Sequence, residues 1–170
     1  MLLRMSRTTN DLTVSCFNRS IFLIVVAAIG TLLLGGCTQS VTDKSIKITS
    51  GSDVQKWLKQ AETESEALLV VLVDPRPKAE YQQEHIVGAW HLTLPMIPID
   101  RSTDAALDAY EKIVVYGNDP GSATAKALSK RLIANGYSGD IYLFAGGLQE
   151  WKAQGGKTDS GADPRRKGPR

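Results

Sequence analysis

Cysteine is nearly absent from this chain of 170 residues: Cys16 and Cys37 are its two cysteines, and none follows Cys37. A segment without cysteine cannot form an internal disulfide, so everything after residue 37 must be stabilised by its own apolar core. The same absence excludes a thiolate nucleophile from that part of the chain, since the reactive form of cysteine is the ionised thiol.

Histidine is equally scarce. The two histidines, His85 and His91, are six residues apart, and no third residue with metal-ligand spacing accompanies them. A zinc site needs three or four such ligands. The sequence therefore predicts no metal site and no cofactor.

The chain also lacks a strong excess of one charge. Three of its 20 basic residues and one of its 18 acidic residues precede Cys37, so the remainder is neutral overall. Five basic residues and two acidic residues lie in the segment 157–170, which leaves the part between with a net negative charge. A nucleic-acid-binding domain would present a basic face. We therefore expect no nucleic-acid partner.

The N-terminal part contains one long apolar run, residues 21–34, which follows Arg19 and ends shortly before Cys37. This run is shorter than the ~20 residues that a membrane-spanning helix needs, and it has the length of the apolar region of a secretory signal. The letters LLLGGC at its end resemble the bacterial lipobox, in which the cysteine is acylated and becomes the mature N-terminus. Two alternatives stay open: a signal anchor that is never cleaved, and a chance cysteine.

The lipobox resemblance implies a lipoprotein signal peptide over 1–36, lipidation of Cys37 and a polar tether over 37–45. Two or more acyl chains anchor a protein stably. We therefore expect a lipid-anchored protein of the cell envelope that faces the periplasm or the exterior, with the membrane as a partner. Thr38 is not the aspartate that retains many Gram-negative lipoproteins in the inner membrane, which by analogy favours the outer membrane if there is one.

After the tether, strand and helix patterns alternate. The continuous apolar run 67–74 predicts a strand buried on both faces, the stretch 112–117 predicts a second buried strand, and 140–144 predicts a third strong strand. The strongest helix pattern begins at the N-cap Ser122 and ends at the C-cap Gly136. This alternation predicts an α/β fold with a parallel sheet and helices on both faces, in a single domain over 46–156. The segment 157–170, rich in glycine, proline and charge, is predicted to be a disordered basic tail.

Two stretches of the predicted domain resemble the signatures of the rhodanese family. The stretch VLVDPRPKAEYQQEHIVGAWHLTL has an aspartate and an arginine around a proline after a strand, then an E-Y pair and H-I-x-G-A. The stretch GYSGDIYLFAGGLQEWKAQGG has G-Y, a strand, G-G and a tryptophan four residues later. The resemblance covers about residues 46–156 and implies a rhodanese-like fold.

The loop between these stretches departs from the family. In rhodanese sulfurtransferases a cysteine opens a six-residue loop after a strand and carries sulfur as a persulfide, and an arginine stands at the end of that loop. Here the matching positions read Gly117, Asn118, Asp119, Pro120, Gly121 and Ser122, so glycine replaces the cysteine and serine the arginine. The resemblance therefore predicts no catalytic residue here. We treat the loop as a candidate ligand loop.

Four further residues have a structural and a functional interpretation. Asp119 is the one nucleophile candidate in the loop, but Asp-Pro-Gly is a common turn sequence, and we favour the turn. His85, Asp74 and Arg76 match structural residues of the rhodanese family, and the resemblance implies a structural role for them here too.

The resulting prediction is a membrane-anchored, extracytoplasmic rhodanese-like domain without sulfurtransferase activity, acting as a binding or scaffold module for an unknown protein or a small anionic ligand. One alternative is an enzyme of the sulfurtransferase type, or one that handles phosphoesters, using the modified loop. In that case Ser122 and the helix N-terminus would form the anion site, for example for a small-molecule persulfide. Another alternative is a spacer that carries the basic tail to an envelope polymer.

Overall fold

A computed structural model of the chain describes residues 41–63, 69–100 and 102–166. All of these residues belong to one compact unit, Ser40–Arg170. The predicted signal peptide and residues 37–40 of the predicted tether, Cys37 included, lie outside the described residues. Within the described ranges, no helix is long and apolar enough to cross a membrane.

The strands follow the apolar runs of the sequence. In chain order they are β1 (Lys47–Thr49), β2 (Val70–Asp74), β3 (His85–Ile86), β4 (Trp90–His91), β5 (Lys112–Tyr116), β6 (Asp140–Phe144) and β7 (Thr158–Asp159). Five of them form a parallel sheet in the order β1-β6-β5-β2-β4. The strands β3 and β7 form a separate antiparallel pair. The three longest strands, β2, β5 and β6, are therefore neighbours at the centre of the sheet.

Five α-helices connect the strands: α1 (Gly51–Thr63), α2 (Lys78–Gln83), α3 (Ala105–Asp108), α4 (Ala123–Asn135) and α5 (Gly147–Ala153). Both predicted caps of α4 are present. The Ser122 Oγ accepts a hydrogen bond from the Ala125 N–H at 3.5 Å, and Gly136 has a φ of +78°, as a left-handed C-cap requires.

Each face of the sheet has its own apolar cluster, because successive side chains of a strand point to opposite faces. On one face, Val73 and Val115 pack with Leu128 and Leu132 of α4. On the other face, Leu72 of β2 and Val114 of β5 pack with Val54 of α1 and with Trp151 of α5. The predicted α/β fold, a parallel sheet with helices on both faces in a single domain, is confirmed.

The prediction of a disordered tail from residue 157 is wrong as far as residue 166. Thr158 and Asp159 pair with β3, and the Gly161 N–H donates to the Gln82 carbonyl at 2.8 Å. Asp163 is buried, with 5% of its surface exposed. The glycine, proline and charge of this segment are typical of disorder, but here the segment forms turns, an ion pair between its own Asp163 and Arg165, and hydrogen bonds to residues far away in the sequence.

Candidate functional site

The candidate ligand loop lies at the carboxyl edge of the sheet, directly after β5. Its second half is a tight turn, in which the Ser122 N–H donates to the Asp119 carbonyl at 3.4 Å. Pro120 and Gly121 occupy the two central positions, and Gly121 has a φ of +89°. Type II turns favour proline at the first central position and need a positive φ at the second. Asp119 therefore opens a turn, as its sequence context indicates, and its side chain is exposed.

The first half of the loop is fixed to the start of α5. The Gly117 carbonyl accepts from the Leu148 N–H at 2.9 Å, and the Asn118 carbonyl accepts from the Gln149 N–H at 3.0 Å. This close approach depends on Gly147, where a Cβ atom would lie 2.7 Å from the Gly117 carbonyl oxygen and where φ is +64°. The two carbonyls supply acceptors for N–H groups that a helix start leaves without intrahelical partners.

The space beside Gly117 is filled by Ser122. A Cβ atom built on Gly117 would lie 2.2 Å from the Ser122 Cβ and 2.3 Å from its Oγ. Gly117 itself is buried and does not adopt a left-handed backbone conformation. Glycine is therefore needed here because a side chain has no space, and not because φ is positive. The loop thus has no room for a side chain at residue 117 while Ser122 keeps its place. Sequence reasoning missed this contact, because nothing in the local pattern indicates where the Ser122 side chain points.

Asp74 and Arg76 form a buried ion pair at the end of β2, the strand next to β5. The Arg76 Nη2 lies 2.6 Å from the Asp74 Oδ2, and the Arg76 Nε lies 3.0 Å from Oδ1. The Arg76 Nη2 also donates to the Glu84 carbonyl at 2.7 Å. Burial opposes the charge of Arg76, but the hydrogen bonds to Asp74 and the negative charge of Asp74 together outweigh this and raise the pKa of Arg76. The two side chains hydrogen-bond to each other and to the Glu84 carbonyl, which supports a structural role for both.

His85 is held in the core. The residue is 2% exposed, its Nδ1 lies 2.7 Å from the Tyr81 carbonyl, and its ring stacks on the Tyr81 ring at 4.0 Å between centroids. Because a carbonyl only accepts, Nδ1 must carry a proton. The other histidine, His91, places its Nε2 2.9 Å from the Arg76 carbonyl. Among the residues that the structure describes, no cluster of three or more potential metal ligands exists.

Tyr116, the last residue of β5, supports the base of the loop. Its hydroxyl oxygen accepts from the Ile86 N–H at 3.1 Å, and the side chain is fully buried. Burial raises the pKa of Tyr116 well above its usual value, and the charge of Asp74 adds to this. Tyr116 therefore stays protonated and is no general base at ordinary pH. A hydroxyl at the end of a buried strand was the one sequence signal that could have pointed to this residue.

Comparison with known families identifies the domain. The profile of the "Rhodanese-like domain" family matches residues 54–154. The chain belongs to the rhodanese-like family. This rhodanese-like domain is also 26% identical, over 91 residues, to the thiosulfate sulfurtransferase GlpE of Coxiella burnetii, a match that covers 54% of this chain and 79% of that protein.

Solved structures share the rhodanese-like fold. A thiosulfate sulfurtransferase from Pseudomonas aeruginosa superposes with a TM-score of 0.54 at 16% identity, covering 74% of this chain and 22% of that one. A protein of Rhodopseudomonas palustris described as a possible tyrosine phosphatase gives a TM-score of 0.54 at 21% identity, covering 69% and 87%. At these identities the likeness extends to the fold alone.

Proposed function

We propose that this rhodanese-like domain is a binding module without sulfurtransferase activity, held at a membrane by lipid on Cys37. The observation that carries the first part is the contact between Gly117 and Ser122. In rhodanese sulfurtransferases the matching loop position holds the cysteine that accepts sulfur. Here it is glycine, and a Cβ at that point would lie 2.2 Å from the Ser122 Cβ.

The remaining loop residues offer no replacement for the thiolate. Transfer of sulfur through the protein needs a group that can form and break a sulfur–sulfur bond, and no cysteine follows Cys37 in the chain. Asp119 is exposed at the turn, where its negative charge opposes an anionic substrate. Pro120 removes one N–H donor from the loop. An exposed turn without a thiol fits contact with a partner better than it fits sulfur transfer.

The activity is tested with the full chain, using thiosulfate as donor and cyanide as acceptor. We expect no thiocyanate above the blank without protein. The variant C16S/C37S is the control, since it removes every thiol from the chain. If the wild type produces thiocyanate and C16S/C37S still produces it, the proposal is overturned. If that thiocyanate production is then lost when Asp119 and Ser122 are replaced, the activity belongs to the modified loop.

A gain-of-function pair tests the role assigned to the loop. The variant G117C/S122G introduces a thiol and removes the side chain that fills its space. We expect the new thiolate to attack the outer sulfur of thiosulfate, which breaks the sulfur–sulfur bond, releases sulfite and leaves a persulfide that an intact-mass increase detects. The variant G117C with Ser122 retained should take up less sulfur. Equal sulfur uptake by the two variants would show that Ser122 does not obstruct the loop.

The anchor is proposed from the LLLGGC sequence alone, and it is tested separately. We expect intact-mass spectrometry of the membrane-derived protein to show loss of residues 1–36 and an acylated Cys37. The matched control is Cys37→Ser, which should keep the presequence and carry no lipid. A wild-type protein that carries no lipid would remove the anchor from the proposal and leave the binding module standing.

A further inference from the structure

The segment 157–165, here called the C-terminal strap, runs along the outer side of the sheet edge. It begins after Gly155 and Gly156, and its strand β7 pairs with β3. The Lys157 carbonyl accepts from the Trp151 Nε1 at 3.0 Å, which fixes the start of the strap. The strap ends at Asp163 and Arg165, next to β4.

Asp163 and Arg165 form a clasp with the same geometry as the buried pair Asp74 and Arg76. Both pairs belong to the sequence Asp-Pro-Arg. In the strap, the Arg165 N–H donates to the Asp163 Oδ1 at 2.9 Å, and the Arg165 Nη2 lies 2.5 Å from the Asp163 Oδ2. The corresponding distances in the buried pair are 3.0 Å and 2.6 Å. The two Asp-Pro-Arg sequences thus form the same hydrogen-bonded ion pair in two places of the fold.

The clasp closes the open edge of the sheet. The strand β4 is an edge strand, and its inner side pairs with β2. On its outer side, the His91 N–H donates to the Asp163 Oδ2 at 3.1 Å, and the His91 carbonyl accepts from the Arg165 Nη2 at 3.0 Å. The Arg165 guanidinium also lies over the Trp90 ring, 4.6 Å from its centroid. The Asp163 carboxylate therefore supplies an acceptor, and the Arg165 guanidinium supplies a donor and a positive charge, where a neighbouring strand would otherwise pair.

The strap holds this edge with polar contacts and buries little apolar surface. The residues Lys157, Asp159, Ser160, Ala162 and Pro164 are exposed. Its ion pair is largely buried, with the Arg165 and Asp163 side chains 29% and 5% exposed, but no residue of the strap belongs to either apolar cluster of the core. The segment that leads into the strap contains Gly155 in a left-handed conformation, with φ of +74°, next to Gly156. An attachment of this kind can exchange without disturbing the two apolar clusters of the core.

We propose that the outer edge of β4, with Trp90, is a docking site for an extended Asp-x-Arg segment, occupied within one chain by its own strap and, between chains, by the strap of a second copy. The geometry sets the specificity. The aspartate accepts from the His91 N–H, and the planar guanidinium donates to the His91 carbonyl while it stacks on Trp90. Lysine cannot make both contacts in this way, because it is a single point charge without a planar fork. This inference stands whether or not the loop has enzymatic activity.

The docking site is tested with the full chain carrying D163A/R165A, whose own clasp is broken, and a fluorescent peptide of residues 157–166. We expect the peptide to bind this variant at least tenfold more tightly than it binds the wild type, because the wild-type edge is occupied. A peptide with Arg165→Lys should bind at least tenfold more weakly. Trp90→Ala, added to the receptor, should weaken binding of the unchanged peptide.

Equal binding of the two peptides, or no binding to a variant whose circular dichroism matches the wild type, would overturn the proposal. A second measurement applies even if D163A/R165A does not fold. Wild-type full chain in detergent should form a dimer whose fraction rises with protein concentration, and Arg165→Lys should reduce that fraction. A wild type that stays monomeric at its highest soluble concentration would exclude strap exchange between copies.

Discussion

The contact between Gly117 and Ser122 predicts a measurable coupling between the two positions. Carbon atoms in ordinary contact lie ~3.5–4.0 Å apart. A Cβ on residue 117 would lie 2.2 Å from the Ser122 Cβ, so Gly117→Ala must displace the loop or the start of α4. Overpacking of this kind costs about 1–3 kcal/mol. We expect the free energy of unfolding of Gly117→Ala to fall by that amount.

The double variant separates this clash from other effects. Ser122→Gly alone loses the hydroxyl that caps α4, and replacing an N-cap serine by glycine costs only a few tenths of a kcal/mol, roughly. In G117A/S122G, the new methyl group enters the space that the serine side chain leaves. We therefore expect the double variant to be about as stable as Ser122→Gly, with a coupling energy of roughly 1–3 kcal/mol between the two sites.

Urea unfolding of the full chain in detergent, followed by tryptophan fluorescence, measures all four proteins. The urea dependence of the unfolding free energy should stay constant, so that the midpoints report stability alone. Additive effects would refute the reasoning: if Gly117→Ala costs the same with and without Ser122, the two side chains do not compete for one space.

Three further predictions concern the supports of the loop and the strap. Tyr116→Phe removes the acceptor of the buried Ile86 N–H, so we expect a loss of about 1–3 kcal/mol in urea unfolding. Gly147→Ala places a side chain on a left-handed backbone with φ of +64°, so we expect the free energy of unfolding to fall by at least about 1–2 kcal/mol. Burial opposes the charge of Asp163, but hydrogen bonds from Arg165 outweigh this and lower its pKa below 3.8. The thermal stability that wild type gains over Asp163→Asn should therefore be constant above about pH 5 and disappear as the pH falls below 3.8.

Each of these predictions has a result that contradicts it. A Tyr116→Phe protein as stable as wild type would mean that water replaces the lost hydroxyl. Unchanged stability of Gly147→Ala would mean that α5 can start without the close contact to the loop. For Asp163, a thermal stability of wild type that still exceeds that of Asp163→Asn at the lowest pH would assign the effect to packing and not to charge. The charge contribution of a carboxyl with a lowered pKa is lost in acid.

The central strands could be predicted from sequence because their burial is reflected in the local pattern of apolar residues. A parallel strand covered on both faces must be apolar, and the runs 70–73 and 113–116 meet that condition. The caps of α4 are equally local, since Ser122 and Gly136 act on backbone groups within a few residues of themselves. The family resemblance extended the same reasoning to the order of the elements, and the described structure agrees with it.

Tertiary structure alone decided the features that join distant parts of the chain. The filled space beside Gly117 depends on how a turn returns Ser122 toward the end of β5. The order of the strap depends on Asp163 meeting the edge at His91, 72 residues away in the sequence. Composition described the strap as a solvated tail, because composition carries no information about which backbone groups a charged pair will reach. Sequence by itself determined the fold and the absence of a thiol after residue 37, because both follow from residue types and their local pattern. Three-dimensional contacts determined that Ser122 fills the space beside Gly117 and that the outer edge of β4 is covered.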